Sequence, residues 1–315
     1  MKAYVTGASG FVGRWLVAHL DAMGDEVLEV GAAVDVTDAA AVARSMADAA
    51  PDAVYHLAGL AHVQRSWSEP AEYLRVNTGG TLHVLEAARL CAAPPTVLVV
   101  SSAEVYGAVR PEQLPLTEDE PMRPVSPYAA SKAAAELVAV HAHLGRGLAA
   151  VRARPFNHAG PGQADTFAIP AFARRIVEAQ RDGAEVLRVG NLSARRDLVD
   201  VRDVVRAYRL LAEHGEGGEA YNICTGRSVE VADVLRHLLD LAGADLRVEV
   251  DPDLLRPVDV PELRGDPTRL RDATGWEPQI PLDDTLRAVL AEARAKASEP
   301  VSLPGGAGAS PPAPT

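Results

Sequence analysis

Thr6-Gly7-Ala8-Ser9-Gly10-Phe11-Val12-Gly13 follows a short apolar run, Ala3–Thr6, and opens an Ala- and Leu-rich run, Val12–Met23. Strand, glycine turn and helix in this order bring a pyrophosphate to a helix N-terminus, where unpaired N–H groups and the helix dipole favour an anion. The glycines let the backbone turn sharply and approach the ligand closely. A glycine pattern alone also fits an ordinary tight turn; its flanks and its position at the start of the chain favour the dinucleotide reading. The spacing is Gly-x-x-Gly-x-x-Gly rather than Gly-x-Gly-x-x-Gly.

Working outward, the first half alternates strand-like and helix-like runs. The strands are expected at Ala3–Thr6, Glu26–Val30, Val54–Leu57, Val97–Ser101 and Ala150–Ala153. The helices are expected at Val12–Met23, Ala39–Ala49, Thr78–Cys91 and Pro127–His143. Such alternation predicts βαβ units around a parallel sheet buried on both faces. The fold class is therefore α/β, a Rossmann-type doubly wound parallel sheet with a smaller C-terminal substrate-binding lobe. The expected division gives residues 1–155 to the NAD(P)-binding domain, with 197–225 returning to it through Val199–Ala212 and Tyr221–Cys224. Residues 156–196 and 226–297 form the second lobe, and 298–315, rich in Pro, Gly, Ala and Ser, read as a disordered tail.

Composition narrows the function classes. The chain has 315 residues, 48% hydrophobic, enough for a sizeable core. A formal net charge of −12 argues against non-specific nucleic-acid binding, while leaving room for arginines that bind a small anion in a cleft. Two cysteines, Cys91 and Cys224, show neither metal-ligand spacing nor a disulfide framework and point to a reducing cytoplasm; no metal is expected. The strand at the N-terminus leaves no room for a signal peptide, and no apolar run reaches bilayer length.

NAD and NADP stay unresolved. The position near Gly31, where an acid would hold an adenine-ribose hydroxyl, is neutral. Arg14 suits a 2′-phosphate or a solvated helix face equally. Asp35, within Val34-Asp35-Val36-Thr37-Asp38, reads as the end of a short strand facing the adenine, or as a helix cap, a role open to Asp38 too.

Ser126-Pro127-Tyr128-Ala129-Ala130-Ser131-Lys132 opens a helix, with Ser126 at the N-cap and Pro127 at the first turn. Tyr128 and Lys132, four residues apart, share a face. A phenol with a pKa near 10 is a poor acid–base catalyst at neutral pH. A neighbouring ammonium stabilises the phenolate. Tyr-x-x-x-Lys also arises by chance, but this chain has three lysines, Lys2, Lys132 and Lys296, among 31 basic residues. Keeping lysine at this site suits a compact point charge that arginine cannot supply. A hydroxyl to hold the substrate oxygen is expected from Ser102, in Ser101-Ser102-Ala103-Glu104-Val105-Tyr106-Gly107, with Ser101 its competitor.

These motifs, with His56-Leu57-Ala58-Gly59 and Asn77-Thr78-Gly79-Gly80-Thr81, resemble an extended short-chain dehydrogenase/reductase acting on a nucleotide sugar, almost end to end. The resemblance implies NAD(P)H as cofactor and a homodimer built on the Thr78–Cys91 and Pro127–His143 helices. It implies that Ser102 and Tyr128 bind the reacting oxygen, that Tyr128 transfers the proton, and that Lys132 holds the ribose and tunes Tyr128. The implied cofactor contacts are Gly7, Ser9, Gly10, Phe11, Val12 and Gly13 in the turn, Asp35 and Val36 beside it, Leu57, Ala58 and Asn77 beyond, and Tyr128 and Lys132. In the second lobe, Arg154-Pro155-Phe156-Asn157-His158-Ala159-Gly160-Pro161-Gly162-Gln163, Gly190–Asp197 and Leu255–Val260 are similar to the GDP-sugar branch. There the matching Asn157, Arg196 and Arg256 contact the nucleotide diphosphate and Asp259 takes the ribose hydroxyls; Ser66 is a further implied substrate contact.

Within that branch the chain resembles the GDP-4-keto-6-deoxy-D-mannose reductases. Glu104 stands where GDP-mannose 4,6-dehydratases keep a catalytic glutamate, so that lyase reaction is the competitor. Against it, Ala103 offers no polar group beside Glu104, and the stretch after His158 departs from the dehydratase pattern. A nucleotide-sugar 4-epimerase is a third alternative. A cofactor-binding sensor without activity is disfavoured by the intact Ser102, Tyr128 and Lys132 set.

Overall fold

In the computed structural model, residues 1–30, 34–254 and 260–298 are described. The N-terminal half runs β1 (Lys2–Thr6), α1 (Phe11–Ala22), β2 (Glu26–Val30), α2 (Ala39–Ala49), β3 (Ala53–His56), α3 (Val63–Ser66), α4 (Pro70–Tyr73), a π-helical turn Leu74–Gly79, α5 (Gly80–Arg89), β4 (Thr96–Val100), α6 (Pro127–Arg146) and β5 (Ala150–Pro155). There follow β6 (Asn157–Ala159), α7 (Ala168–Asp182), β7 (Val186–Val189), β8 (Arg195–Asp200), α8 (Val201–His214), β9 (Ala220–Ile223), β10 (Ser228–Glu230), α9 (Val231–Ala242), β11 (Arg247–Val250), β12 (Glu262–Leu263), α10 (Thr268–Thr274) and α11 (Leu282–Ser298).

Six parallel strands form one sheet in the order β2-β1-β3-β4-β5-β9. The strands are short, and the central ones, β1, β3 and β4, are largely apolar because both faces are covered. Val204, Val205, Tyr208 and Leu211 of α8 close one face together with Leu16 and Leu20 of α1. Val42 and Met46 of α2, Val84 and Leu85 of α5 and Ala139 and Ala142 of α6 close the other. A separate core packs α7, α9 and α11 through Phe172, Ile176, Leu235, Leu238, Leu286 and Val289. Strand β8 pairs with β6, β10 and β12 in a smaller sheet, so the stretch from Arg195 to Asp200 pairs outside the large sheet and the chain rejoins its packing through α8. Among the described residues, no helix is long and apolar enough to cross a membrane.

Asp35, expected to end a strand, does not lie in one. Asp35 accepts from the Thr37 N–H at 2.9 Å and from Thr37 Oγ1 at 2.8 Å, a local turn that competes with strand pairing. Asp38, not Asp35, caps α2 by accepting from the N–H groups of Ala40 and Ala41. The helix expected from Thr78 begins within the π-helical turn that holds Asn77. Ser298, assigned to the tail, ends α11 with its Oγ bonded to the Arg294 carbonyl.

Candidate active site

The glycine turn leaves β1 at Thr6 and reaches α1 with no side chain capping the helix, so its first-turn N–H groups stay open. Gly7 adopts φ +72°, and a Cβ there would stand 2.8 Å from the Ala58 nitrogen. A Cβ on Gly13 would stand 2.1 Å from the Gly7 carbonyl oxygen. Backbone packed this closely against an uncapped helix start fits a dinucleotide pyrophosphate. Ser9 and Gly10 are exposed, and Phe11 and Val12 half-buried, at the mouth of the turn. Leu57 and Ala58 leave β3 against it, Leu57 N–H donating to the Thr6 carbonyl and Ala58 N–H to Thr6 Oγ1. Val36 is buried against α5, its carbonyl 2.9 Å from His83 Nδ1. Arg14 donates to the Ser9 carbonyl at 2.7 Å and the Gly162 carbonyl at 3.2 Å, bracing the turn against the loop after β6.

Helix α6 starts as its sequence dictates. Ser126 Oγ accepts from the Ala129 N–H at 3.1 Å, Pro127 occupies the first turn, and Gly147 at φ +73° closes the far end. Tyr128 and Lys132 emerge one turn apart. Tyr128 is buried and faces Ser102, and its phenol is pushed up to about 12, mainly by burial and further by the Glu104 carboxylate, against the pull of the Ser102 hydroxyl. Ser102, rather than Ser101, therefore faces the tyrosine, and Ser101 is 3% exposed. Lys132 donates from Nζ to the Val100 carbonyl at 2.8 Å. Burial pulls its ammonium down to about 8, while the Glu136 carboxylate one turn on opposes the fall. Glu136 is fully buried and bound by the Arg154 fork at 2.9 and 2.7 Å, and Arg154 also donates to Tyr106 Oη at 3.0 Å. One guanidinium thus joins α6 to the 3₁₀ turn Ala103–Tyr106 that carries Glu104.

Asn77 is 1% exposed inside the π-helical turn. Its Oδ1 accepts from the Leu60 N–H at 2.7 Å, and its Nδ2 donates to the Leu60 carbonyl at 3.1 Å and to Ser131 Oγ at 2.9 Å. A Cβ on Gly59 would stand 2.8 Å from Asn77 Oδ1 and 3.5 Å from Lys132 Nζ, which puts Gly59, Asn77 and Lys132 in one cluster. Ser131 is the residue sequence reasoning missed; its place beside Lys132 in the same motif was the available signal.

The substrate-side expectations meet different ends. Asn157 is exposed at the start of β6, opposite Leu198 of β8. Arg196, two residues before Leu198, is 8% exposed and donates from Nη1 to the carbonyls of Arg195 and Val260. Ser66 is fully buried, and its Oγ donates to the Val63 carbonyl at 2.6 Å. The Ser66 hydroxyl proton is thus used inside its own turn. Arg256 and Asp259, like Gly31, lie outside the described residues.

Comparison with known proteins agrees with this geometry. The family model described as GDP-mannose 4,6 dehydratase matches residues 30–289. GDP-6-deoxy-D-mannose reductase from Pseudomonas aeruginosa is 38% identical over 301 residues, covering 95% of this chain and 99% of that protein. The solved structure of RMD from Pseudomonas aeruginosa complexed with NADPH superimposes with a TM-score of 0.87 at 38% identity, over 93% of this chain and 99% of that one. Thermus thermophilus UDP-glucose 4-epimerase in complex with NAD follows at a TM-score of 0.84 and 30% identity, over 93% of this chain and 99% of that one. An uncapped glycine turn, a buried Tyr128–Lys132 pair facing Ser102 and a match across most of the chain assign this protein to the GDP-mannose 4,6 dehydratase family, within the extended short-chain dehydrogenase/reductases.

Proposed function

We propose that this protein reduces the C4 ketone of a GDP-linked 4-keto-6-deoxyhexose. NAD(P)H, held by the glycine turn, supplies the hydride to the carbonyl carbon when bound. Tyr128 gives its phenolic proton to the carbonyl oxygen as the C4 hydroxyl forms. Burial keeps Tyr128 a phenol at neutral pH, the form a proton donor needs. Ser102, facing that phenol, offers its hydroxyl to the same oxygen. Lys132, fixed to the Val100 carbonyl, brings a positive charge that stabilises the phenolate left behind. Asn157 and Arg196 face the nucleotide diphosphate on this reading, with charge-assisted bonds from the guanidinium.

The observation that carries the reading is the end-to-end similarity to the Pseudomonas aeruginosa reductase, 38% over 95% of the chain. The NADPH in the solved Pseudomonas aeruginosa neighbour supports a nicotinamide cofactor here. The dehydratase alternative rests on Glu104, whose carboxylate acts on Tyr128. Beside it Ala103 is buried and apolar and offers no polar group to the proton removal at C5 and loss of the C6 hydroxyl that a dehydratase needs. Incubation with GDP-mannose and no added reduced cofactor distinguishes the two. A 4-keto-6-deoxy product would overturn the reductase reading; NAD(P)H consumption only when the keto sugar is supplied supports it.

We also infer a homodimer through α5 and α6. Leu82 (42% exposed) and Leu90 (67%) follow the face of α5, and Leu137 (59%) and Leu144 (79%), seven apart, share a face of α6. Cys91 and Cys224 are free thiols, which suits a reducing cytoplasm.

A further inference from the structure

Behind the glycine turn runs a line of buried polar groups with no part in the proton transfer just described. His56, the last residue of β3, is 3% exposed and sits between two threonines. Its Nδ1 is 2.9 Å from Thr6 Oγ1 and its Nε2 3.1 Å from Thr81 Oγ1. The proton positions follow from what each neighbour can do. Thr81 Oγ1 lies 2.6 Å from the Asn77 carbonyl oxygen, which can only accept. The single Thr81 proton therefore goes to Asn77, and Thr81 must accept from His56, so Nε2 carries the proton. At the other end Ala58 N–H donates to Thr6 Oγ1 at 3.2 Å, and the Thr6 proton is left for Nδ1. Every bond points the same way: Ala58 to Thr6, Thr6 to His56, His56 to Thr81, Thr81 to Asn77. An imidazolium would set a second N–H against Thr6 and strand the Thr6 proton. Burial, with the Lys132 charge in support, pulls protonation of the ring down to about 3.

The two ends of this line matter more than its middle. Ala58 forms the wall against which Gly7 packs, close enough that a Cβ on Gly7 would meet its nitrogen at 2.8 Å. Asn77 holds Ser131 Oγ at 2.9 Å, and Ser131 Oγ in turn donates to the Tyr128 carbonyl at 2.7 Å. The line thus runs from the cofactor side of the site to the helix carrying Tyr128 and Lys132. We propose that His56 is a positioning residue, a single fixed tautomer that holds the glycine turn in register with Tyr128 and Lys132. It acts through Ala58 and Asn77, and the proposal rests on reading the glycine turn as the NAD(P)H site and Tyr128 as the proton donor.

The tautomer is measured on the unsubstituted protein by long-range ¹H–¹⁵N correlation. The expected result is a neutral ring protonated on Nε2 throughout about pH 5 to 8. An Nδ1-protonated ring, or titration within that range, overturns the proposal. Two variants then separate the ends of the line. Thr81→Val frees His56 from Asn77 but leaves its bond to Thr6. It should lower kcat by about 10-fold to 100-fold while the NADPH Kd, read by fluorescence titration, stays within about twofold. His56→Leu cuts both ends and should lower kcat and weaken NADPH binding together, by about fivefold or more in Kd. His56→Gln, whose amide again offers one acceptor and one donor, should recover part of each loss. Folded Thr81→Val with parental kcat, or folded His56→Leu with parental NADPH affinity, overturns the assignment. If the unsubstituted protein reduces no keto sugar, the proposed reaction falls, while the tautomer and the NADPH affinities still decide the role of His56.

Discussion

Tyr128 and Lys132 are moved by the same cause, burial, in opposite directions. Burial disfavours charge, so the phenol rises to about 12 and the ammonium falls to about 8. The consequence for turnover has a definite sign. At pH 7 Lys132 is charged and Tyr128 protonated, the pair a reductase needs. As pH rises through about 8, Lys132 loses its charge, and kcat for ketone reduction should fall on that alkaline limb. In Lys132→Arg the guanidinium stays charged, so the limb should vanish although turnover is lower; a limb unmoved in that variant assigns it to another group. Tyr128→Phe should lower kcat by about 10²-fold to 10⁴-fold with NADPH affinity largely intact. Steady-state kinetics beside a fluorescence titration checks both, and unchanged turnover removes Tyr128 from the mechanism. At this scale the sequence was informative where one residue does one job. The four-residue spacing and the sparing use of lysine marked the pair before any coordinates. Nothing in the local sequence says that the Ser66 hydroxyl turns back onto Val63.

The glycine turn and α6 are the elements that build the site, and both follow from local rules. Ser126, Pro127 and Gly147 mark the ends of α6. The turn makes a sharper test. A Cβ on Gly13 would lie 2.1 Å from the Gly7 oxygen and 2.7 Å from the Ala8 oxygen, backbone atoms that no rotamer change can move. Gly13→Ala should therefore destabilise the fold by about 3 kcal/mol. Gly24, at φ +79° but with open space around it, is the control. Gly24→Ala should cost about 1–2 kcal/mol, from the left-handed backbone alone. Urea denaturation of the two variants checks the order, and a Gly13→Ala loss no larger than that of Gly24→Ala would show that the turn rearranges freely. Strand and helix bounds at β1 to β5 were legible to within about two residues, since apolar runs and turn residues are local signals. The strand expected to end at Asp35 is replaced by a turn in which the Asp35 carboxylate accepts from the Thr37 N–H and hydroxyl. The π-helical turn at Asn77 was illegible too: its shape answers to Leu60 and Ser131, 17 and 54 residues away.

At the level of the whole molecule, two parts of the chain meet around the glycine turn. Trp15 Nε1 donates to the Pro161 carbonyl at 2.9 Å, and the Gly162 N–H donates to Glu292 of α11 at 2.7 Å. The loop after β6 is thereby pinned between α1 and the C-terminal helix. The remaining surface question is assembly. If α5 and α6 pair with a second copy, Leu137→Glu combined with Leu144→Glu should convert a dimer to a monomer in light scattering, because charge on a desolvated apolar face is costly. A monomeric parent protein would reject the dimer. The sequence by itself determined the class of fold, the glycine turn, the start of α6 and the Tyr128–Lys132 pair. Each rests on periodicity or spacing within a few residues, where backbone geometry alone dictates which side chains share a face. Only the tertiary structure decided that Ser102 meets Tyr128, that Asp38 takes the cap and Asp35 the turn, and that the glycine turn is tied to Asn77 through His56. The choice between Asp35 and Asp38 is settled two or three residues away, whereas the His56 link depends on which hydroxyl finds a ring nitrogen across 25 or 50 residues of chain. Hydrogen-bond direction in a buried site is set by the whole set of neighbours at once.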